Sequence, residues 1–281
     1  MVLAAVIVDY NVGPALKDAV RSLQTEGVDN IVVVENGNPG STTQALGYLS
    51  KAVSVLEIGE NIGFGAGVNR GVASLAPEVD QIIVSNPDVV VHAGAIDALE
   101  HGLAHHREWA IIAPTIVNGE GGLYPSVRQF PSPKDAAGHA LFGLVAPRNR
   151  FSTRYRSHVT RSDGGVDWVS GAFFVIRREA FERLGGFDEE YFMFAEDMDL
   201  CWRAHHIGCG VGVAPTAFIT HVEGLARQAH PYRMIVAHHR SALRFASKST
   251  SGPQRLLLPL AMVVLGVRFL GSLFHTALSR R

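Results

Sequence analysis

Leu3-Ala4-Ala5-Val6-Ile7-Val8-Asp9 is an unbroken apolar run that ends on a carboxylate. A strand wetted on one face alternates apolar and polar side chains. A run without alternation predicts a strand covered on both faces, as in a parallel sheet between helices. The flanking sequence agrees. Residues 13–25 place Leu16, Ala19, Val20 and Leu23 at helical spacing, with Pro14 suited to the first turn. Residues 31–34 predict a second buried strand running into Glu35, residues 36–40 a turn, and 41–49 a short helix. Further strands are predicted over 53–58, 81–85 and 110–113, and helices over 66–75 and 93–106. Alternation at this pitch predicts an α/β fold with a mostly parallel central sheet flanked by helices, Rossmann-like in its first half. Ligands of such sheets sit beyond the carboxyl ends of the strands. Asp9, Glu35 and Asn86-Pro87-Asp88 all fall there.

The composition bounds the rest. The chain has 281 residues, 47% hydrophobic and 18% charged, enough for one large α/β domain or two small ones. That apolar fraction excludes a disordered chain, and the lack of a repeat excludes fibres. Two cysteines, Cys201 and Cys209, make neither a disulfide framework nor a four-thiolate zinc site, which suits a reducing cytosol. Met1 leads straight into the apolar strand without the basic start of a secretory signal. The net charge of −1 hides an asymmetry. Residues 1–223 hold 16 Lys/Arg against 26 Asp/Glu, whereas residues 224–281 hold nine Lys/Arg and no acid. A basic tail on an acidic body points to an anionic surface as its partner. Nucleic acid is excluded as that partner, because the tail lacks interleaved aromatics and runs on into an apolar segment.

Residues 118–165 change character. They are rich in Gly, Pro and Ser, weakly periodic, and carry Arg128, Lys134, Arg148, Arg150, Arg154, Arg156 and Arg161. A mobile loop is predicted, either a plain solvated insertion or a lid whose arginines meet a diphosphate. Order returns at 166–177 (VDWVSGAFFVIR), broken by Ser170-Gly171. A helix over 178–184, a Gly185-Gly186-Phe187-Asp188 turn, an acidic patch with a helix within 192–206, and short strands at 211–213 and 217–220 follow. In the tail, residues 256–267 are uncharged. Twelve residues fall short of the roughly 20 a spanning helix needs. With Pro259 and Arg268 nearby, an in-plane or docked segment is predicted, the alternative being a core C-terminal helix.

Four features carry chemistry, each with a plainer reading beside it. Asn86-Pro87-Asp88 presents a carboxylate at the sheet edge, where it can hold Mg²⁺ or Mn²⁺ against diphosphate oxygens; it is also good turn sequence. Glu196-Asp197-Met198-Asp199 crowds three carboxylates beside Phe192 and Phe194. Crowding and an apolar wall raise a carboxyl pKa towards that of a useful base, while the same residues suit a helix N-terminus. His221 ends a predicted strand, as a structural histidine or as a second metal ligand. Asn61 to Arg70 (NIGFGAGVNR) alternates glycines that let a backbone approach a ligand closely. It is no dinucleotide fingerprint, since its spacing and its place after the third strand are wrong.

In order along the chain, these elements resemble a family 2 glycosyltransferase of the GT-A fold. The resemblance covers about residues 2–224 and rests on Val6-Ile7-Val8-Asp9-Tyr10-Asn11, Val34-Glu35-Asn36-Gly37, Asn61-Ile62-Gly63-Phe64 with Asn69, and Asn86-Pro87-Asp88. It rests equally on Trp168-Val169-Ser170-Gly171-Ala172, Gly185-Gly186-Phe187-Asp188, the Glu196 to Arg203 run (EDMDLCWR) and His221. The Asn-Pro-Asp variant and the Glu196 run look most like bacterial enzymes that use dTDP-L-rhamnose. They resemble in particular the actinobacterial type that rhamnosylates GlcNAc-diphosphoryl-polyprenol, at the linker joining arabinogalactan to peptidoglycan.

The resemblance implies a catalytic domain over 1–224. Its parts are a nucleotide-sugar half (1–117), the mobile loop (118–165) and an acceptor and catalytic half (166–224). A basic, apolar helical tail over 225–281 would meet the inner face of the cytoplasmic membrane, and homo-oligomers would form through it. Tyr10, Asn11, Glu35, Asn61, Gly63, Asn69 and Asn86 would hold the donor. Asp88 and His221 would hold Mg²⁺ or Mn²⁺, and Trp168, Ser170, Gly171 and Arg203 would face a lipid-linked glycan acceptor. Asp197 would be the base, with Glu196 beside it. Asn86 replaces the first acid of the usual metal motif. The implied reaction is an inverting, metal-dependent glycosyl transfer. A UDP-sugar enzyme of another polysaccharide and a non-catalytic nucleotide-sugar-binding protein on the same fold are the rival readings.

Overall fold

Helices cover both faces of one mixed sheet in the computed structural model, which describes residues 1–130, 132–143, 146, 148–155, 164–222 and 231–278. Four strands build its first half: β1 (Leu3–Asp9), β2 (Ile31–Glu35), β3 (Ser54–Glu57) and β4 (Gln81–Ser85), all mutually parallel in the order β3-β2-β1-β4. The lack of alternation in β1 has the predicted cause. Ala4, Val6 and Val8 pack on one face against Val68 and Val72 of α3 (Phe64–Ala73), while Ala5 and Ile7 pack on the other against Leu16 and Val20 of α1 (Ala15–Thr25). Glycines let α3 lie close. A Cβ on Gly71 would stand 2.4 Å from Cγ1 of Val6. The alternating glycines of this helix therefore serve helix–sheet packing, and not approach to a ligand.

The sheet then departs from parallel. Short β5 (Val89–Val91) and helix α4 (Ala95–His105) lead to β6 (Trp109–Asn118), which extends the strand predicted over 110–113 at both ends. Later in the chain β10 (Phe173–Arg177) inserts antiparallel between β4 and β6. β11 (Gly210–His221) lies parallel to β6 and antiparallel to β5 and β8 (Gly165–Val166). The two short strands predicted over 211–220 are this single strand, whose register slips between Ala214 and Phe218, around Pro215. The 3.6-residue pattern at 41–49 also divides, into α2 (Ser41–Leu46) and one turn of 3₁₀ helix (Gly47–Lys51).

Residues 118–165 hold more order than their composition predicts. β7 (Val127–Arg128) pairs with β9 (Trp168–Val169), and two short helices follow, α5 (Pro133–Phe142) and α6 (Arg150–Tyr155). Both start on side-chain caps: Ser132 Oγ accepts from Asp135 N at 3.1 Å, and Asn149 Oδ1 from Phe151 N and Ser152 N at 2.9 Å. Arg156 and Arg161 lie outside the described residues.

After α7 (Arg178–Arg183) and α8 (Glu196–His206) the chain ends in two long helices, α9 (Pro231–Ser249) and α10 (Leu258–Leu278). The boundary expected at residue 224 falls outside the described residues. Arg268 does not interrupt α10; its guanidinium turns inward and donates to the carbonyl of His139 on α5 at 2.8 Å. Gly252–Leu278 is thus 27 residues of helix long and apolar enough to cross a membrane, with only 6% of its most apolar window buried. The twelve-residue limit read from the sequence counted the uncharged run alone.

Candidate active site

β1, β2 and β4 all end at one edge of the sheet, and a cavity of about 390 Å³ opens there. Tyr10 follows β1 and Asn36 follows β2; both line it, with Asn61 from the turn before α3. Asn36 shapes that turn, donating to Asn61 Oδ1 at 3.2 Å and to Gly63 O at 3.1 Å while accepting from Ile62 N at 3.0 Å. Gly63 allows the turn to meet residues 192–195: its φ is +93°, and a Cβ there would stand 2.4 Å from the carbonyl oxygen of Phe192.

Beyond β4, Asn86, Pro87 and Asp88 line the floor. Asp88 Oδ1 lies 3.2 Å from Nε2 of His221, the last residue of β11, and Asn86 Nδ2 lies 3.3 Å from the same nitrogen. Both members of the Asp88–His221 pair are buried. Neighbouring ligands of an octahedral Mg²⁺ or Mn²⁺, with bonds of about 2.1 Å, stand about 3.0 Å apart, close to this separation. Among the described residues no cluster of three or more His, Cys, Asp and Glu forms a closed metal cage. The donor set is two-membered and open, which suits a divalent ion that keeps positions for phosphate and water. His221 Nδ1 has no hydrogen-bond partner among the described residues.

The opposite wall comes from Trp168, Ser170, Gly171 and Ala172 and from the first turn of α8. Ala172 O accepts from Asn86 N at 2.8 Å, so this wall is tied directly to the floor. Asp197 Oδ2 accepts from Gly171 N and Oδ1 from Met198 N, both at 2.8 Å. Burial raises the Asp197 pKa, against the pull of these N–H groups and of Arg128. Glu196 is buried more completely, and burial with the neighbouring Asp197 charge pushes its carboxyl up to about 8. Its Oε2 has no partner among the described residues. Asp88 and His221 therefore open into the same cavity as Glu196 and Asp197.

The rest of the wall is α9, which gives Met234, His238 and Ala242. The helix is held by charge. Arg244 makes a bidentate pair with Asp188 at 2.8–2.9 Å, and Lys248 bridges Asp188 and Asp199, both at 2.8 Å. Ser241 Oγ donates to Met193 O at 2.8 Å, steadying Phe194 and Ala195, which both have left-handed backbones (φ +70° and +63°). Burial works against ionisation of Asp188, yet Lys248 and Arg244 outweigh it and hold its carboxyl below the usual range. With a folded pKa below the unfolded value of about 3.9, this stabilisation is complete above that pH and is lost as the pH falls through the folded value. Asp188→Asn is expected to lower the melting temperature at pH 7 and to flatten the loss of stability below about pH 4. Superimposable Tm–pH curves for the two proteins would show that the ion network contributes nothing.

Several residues expected at the donor or acceptor face elsewhere. The Glu35 carboxylate is buried and caps α2, accepting from Gly40 N at 2.8 Å, Thr42 N at 2.6 Å and Ser41 Oγ at 3.3 Å. A side chain with its lone pairs so engaged does not reach a base or ribose. Asp9 is likewise turned into its own loop, on Val12 N and Thr42 Oγ1. Asn11 accepts from Asn38 N, and Asn69 clasps Phe187 from both sides, donating to its carbonyl and accepting from its N–H. Gly63 shapes the turn and is not itself a wall of the cavity. Arg203 pairs with Asp199 at 2.7 Å and donates to the carbonyls of Leu184 and Gly186, bracing the 184–188 turn; it does not face an acceptor. Conversely, Asn36, Tyr124 and the α9 residues line the cavity without having been singled out, and of the loop arginines expected to meet a diphosphate Arg128 lines it. Asn36 lay inside a quoted motif, whereas nothing periodic marks Tyr124.

The model of the glycosyltransferase-like family 2 matches residues 2–235. The N-acetylglucosaminyl-diphospho-decaprenol L-rhamnosyltransferase of Mycobacterium tuberculosis is 36% identical over 263 residues, 89% of this chain and 86% of that one. The Escherichia coli rhamnosyltransferase WbbL is 27% identical over 66% of this chain and 70% of its own. Among solved structures, GalNAc-T7 with UDP, GalNAc and Mn²⁺ superposes with a TM-score of 0.59 at 17% identity, over 79% of this chain and 43% of that one. Staphylococcus aureus TarS residues 1–349 superpose with a TM-score of 0.55 at 12% identity, over 98% and 72%. Both share the GT-A glycosyltransferase fold with this chain.

Proposed function

The chain belongs to the family 2-like glycosyltransferases, and on that premise we propose that it is an inverting, metal-dependent rhamnosyltransferase. It moves L-rhamnose from dTDP-L-rhamnose to a GlcNAc-diphosphoryl-polyprenol at the inner face of the cytoplasmic membrane, in synthesis of the arabinogalactan linker. The observation that carries this reading is the shared cavity, with Asp88 and His221 on one side and Glu196 and Asp197 on another. The likeness to a lipid-linked rhamnosyltransferase along nearly the whole chain supports the substrates.

Tyr10, Asn36, Asn61 and Asn86 hold the nucleotide sugar. Asp88 and His221 hold Mg²⁺ or Mn²⁺, which when bound supplies positive charge against the diphosphate as it leaves. Asp197 takes the proton of the acceptor hydroxyl, whose oxygen bonds to the anomeric carbon as the bond to the diphosphate breaks on the opposite face, inverting the configuration. The N–H groups of Gly171 and Met198 fix the carboxylate, and each of its oxygens keeps a lone pair for the incoming proton. Burial and the neighbouring Asp197 charge raise the Glu196 carboxyl, which favours its protonated form beside the base. Trp168 and Ser170 face the acceptor. The bilayer takes up α10, on which Val267, Leu270 and Phe274 are exposed, in a tail of nine basic and no acidic residues. Basic side chains near an anionic leaflet contribute about 1 kcal/mol each.

A transfer assay tests this, crossing dTDP-L-rhamnose and UDP-sugars with a short-chain GlcNAc-diphosphoryl lipid. Product is expected with dTDP-L-rhamnose and a divalent ion. Product from a UDP-sugar alone, or none at all, points to the rival readings. Because burial raises the Asp197 pKa, its inactive protonated form persists above the ordinary value of about 3.9. The acid limb of the kcat–pH curve is therefore expected above pH 4.

A further inference from the structure

The cavity is lined by three carboxylates, Asp88, Glu196 and Asp197, and by one Lys or Arg among the described residues, Arg128. Every strong contact of that side chain leaves its far end free. Nε donates to Pro125 O at 2.8 Å, and the guanidinium lies over the Trp168 ring with Cζ 5.2 Å from its centroid. Neither terminal nitrogen has a hydrogen-bond partner among the described residues. An arginine clamped by its stem on an aromatic face, with four N–H bonds unclaimed in a cavity, is organised to receive a planar or tetrahedral oxyanion in fork geometry. Carboxylates of the protein do not fill that role: Asp197 is near enough to feel the charge but is hydrogen-bonded to backbone.

Two diphosphates enter the proposed reaction, one on each substrate, and the position of Arg128 selects between them. The donor's diphosphate departs on the side of Asp88 and His221. Arg128 is attached to the other wall: it pairs in register with Trp168, and its neighbour Ser126 accepts from Ser170 N at 2.8 Å, one residue before the N–H that holds Asp197. In an inverting transfer the nucleophile arrives on the base side. We infer that Arg128 is a specificity-determining residue that binds the acceptor's diphosphate and so selects a lipid-diphosphate sugar over an uncharged one. The inference rests on the proposed lipid-linked acceptor and goes beyond it by naming the group that reads the acceptor's charge.

The test compares wild type, Arg128→Ala and Arg128→Lys on two acceptors, farnesyl-diphosphoryl-GlcNAc and octyl β-GlcNAc, with saturating donor. Direct binding of each acceptor is followed by the fluorescence of Trp168, with a Trp168→Phe control. For Arg128→Ala the preference in kcat/KM for the diphosphoryl acceptor is expected to fall tenfold or more, through KM, with the KM for the nucleotide sugar within twofold of wild type. Arg128→Lys keeps the charge without the fork and is expected to fall between. A rise in the donor KM instead would assign Arg128 to the donor's diphosphate and overturn the inference. An equal loss on both acceptors with a displaced acid limb would make it a tuner of Asp197, also overturning it. Wild type that binds neither acceptor defeats the lipid-acceptor reading itself, whereas wild type and Arg128→Ala binding the diphosphoryl acceptor equally defeats this inference alone. Arg128→Lys, the milder change, keeps the comparison valid if Arg128→Ala does not fold.

Discussion

Asp197→Asn is expected to lower kcat by about 10²–10⁴-fold, the range that general-base assistance supplies, while the affinity for the nucleotide sugar stays within twofold of wild type. An amide keeps the size of the carboxylate and cannot take the acceptor proton. The change also alters the wall it stands in. The carboxylate accepts from Gly171 N on one oxygen and Met198 N on the other; an amide has one acceptor, so one backbone N–H is left facing an NH₂ group. Losing a buried partner of this kind costs about 1–3 kcal/mol, and a lowered melting temperature is therefore expected beside the kinetic loss. Donor titration by calorimetry separates the two effects, since a folded variant binds normally and fails only in transfer. Turnover near wild type would remove Asp197 as the base and leave Glu196, which shares the cavity and holds an unpartnered oxygen, as the group to examine.

The second large effect is expected at Asp88. With two protein donors in an open site, removing one leaves His221 alone, and a single imidazole holds Mg²⁺ or Mn²⁺ poorly. Asp88→Ala is expected to weaken donor binding at least tenfold in the presence of the ion and to abolish the difference that the ion makes. Chelation of wild type with EDTA is expected to give the same donor affinity as the variant. If wild type binds donor equally with and without EDTA, and the variant matches it, the Asp88–His221 pair is a structural contact. The same carboxylate then serves only to orient the histidine, whose chain neighbour Val222 donates its N–H to the backbone carbonyl of Asp88 at 3.1 Å.

Strands and helices covered on both faces were the most legible part of this chain. Apolar runs such as Leu3–Asp9 and Gln81–Ser85 have no other stable environment, and both appear with their expected bounds. What local pattern does not carry is strand direction. β10 reads as an apolar run like its neighbours, but it enters antiparallel because the chain arrives from the catalytic wall, at the edge where β4 ends. The caps of α5 and α6 were present in the sequence as Ser132 before Pro133 and as Asn149; a weak apolar stripe in short helices hid them. At the site, Tyr10, Asn61, Asn86, Asp88, Trp168, Ser170, Asp197 and His221, chosen by type and place, all line the cavity. Those that missed, Glu35, Asn11, Asn69 and Arg203, are polar residues in the same motifs that spend their hydrogen bonds on the backbone. Position beside a strand end tells where a residue stands, and not which way its lone pairs point. The contribution of α9 was hidden for a different reason: it depends on ion pairs spanning about 50–60 residues, Asp188 to Arg244 and Lys248.

That span has a practical corollary for anyone shortening the polypeptide. A truncation just before residue 231 deletes Met234, His238 and Ala242 from the pocket, removes the hydroxyl that steadies Met193, strands Asp188 without its cations and leaves Asp199 paired with Arg203. A version that ends after Ser249 keeps each of these contacts and leaves out Gly252–Leu278, the segment long and apolar enough to cross a membrane.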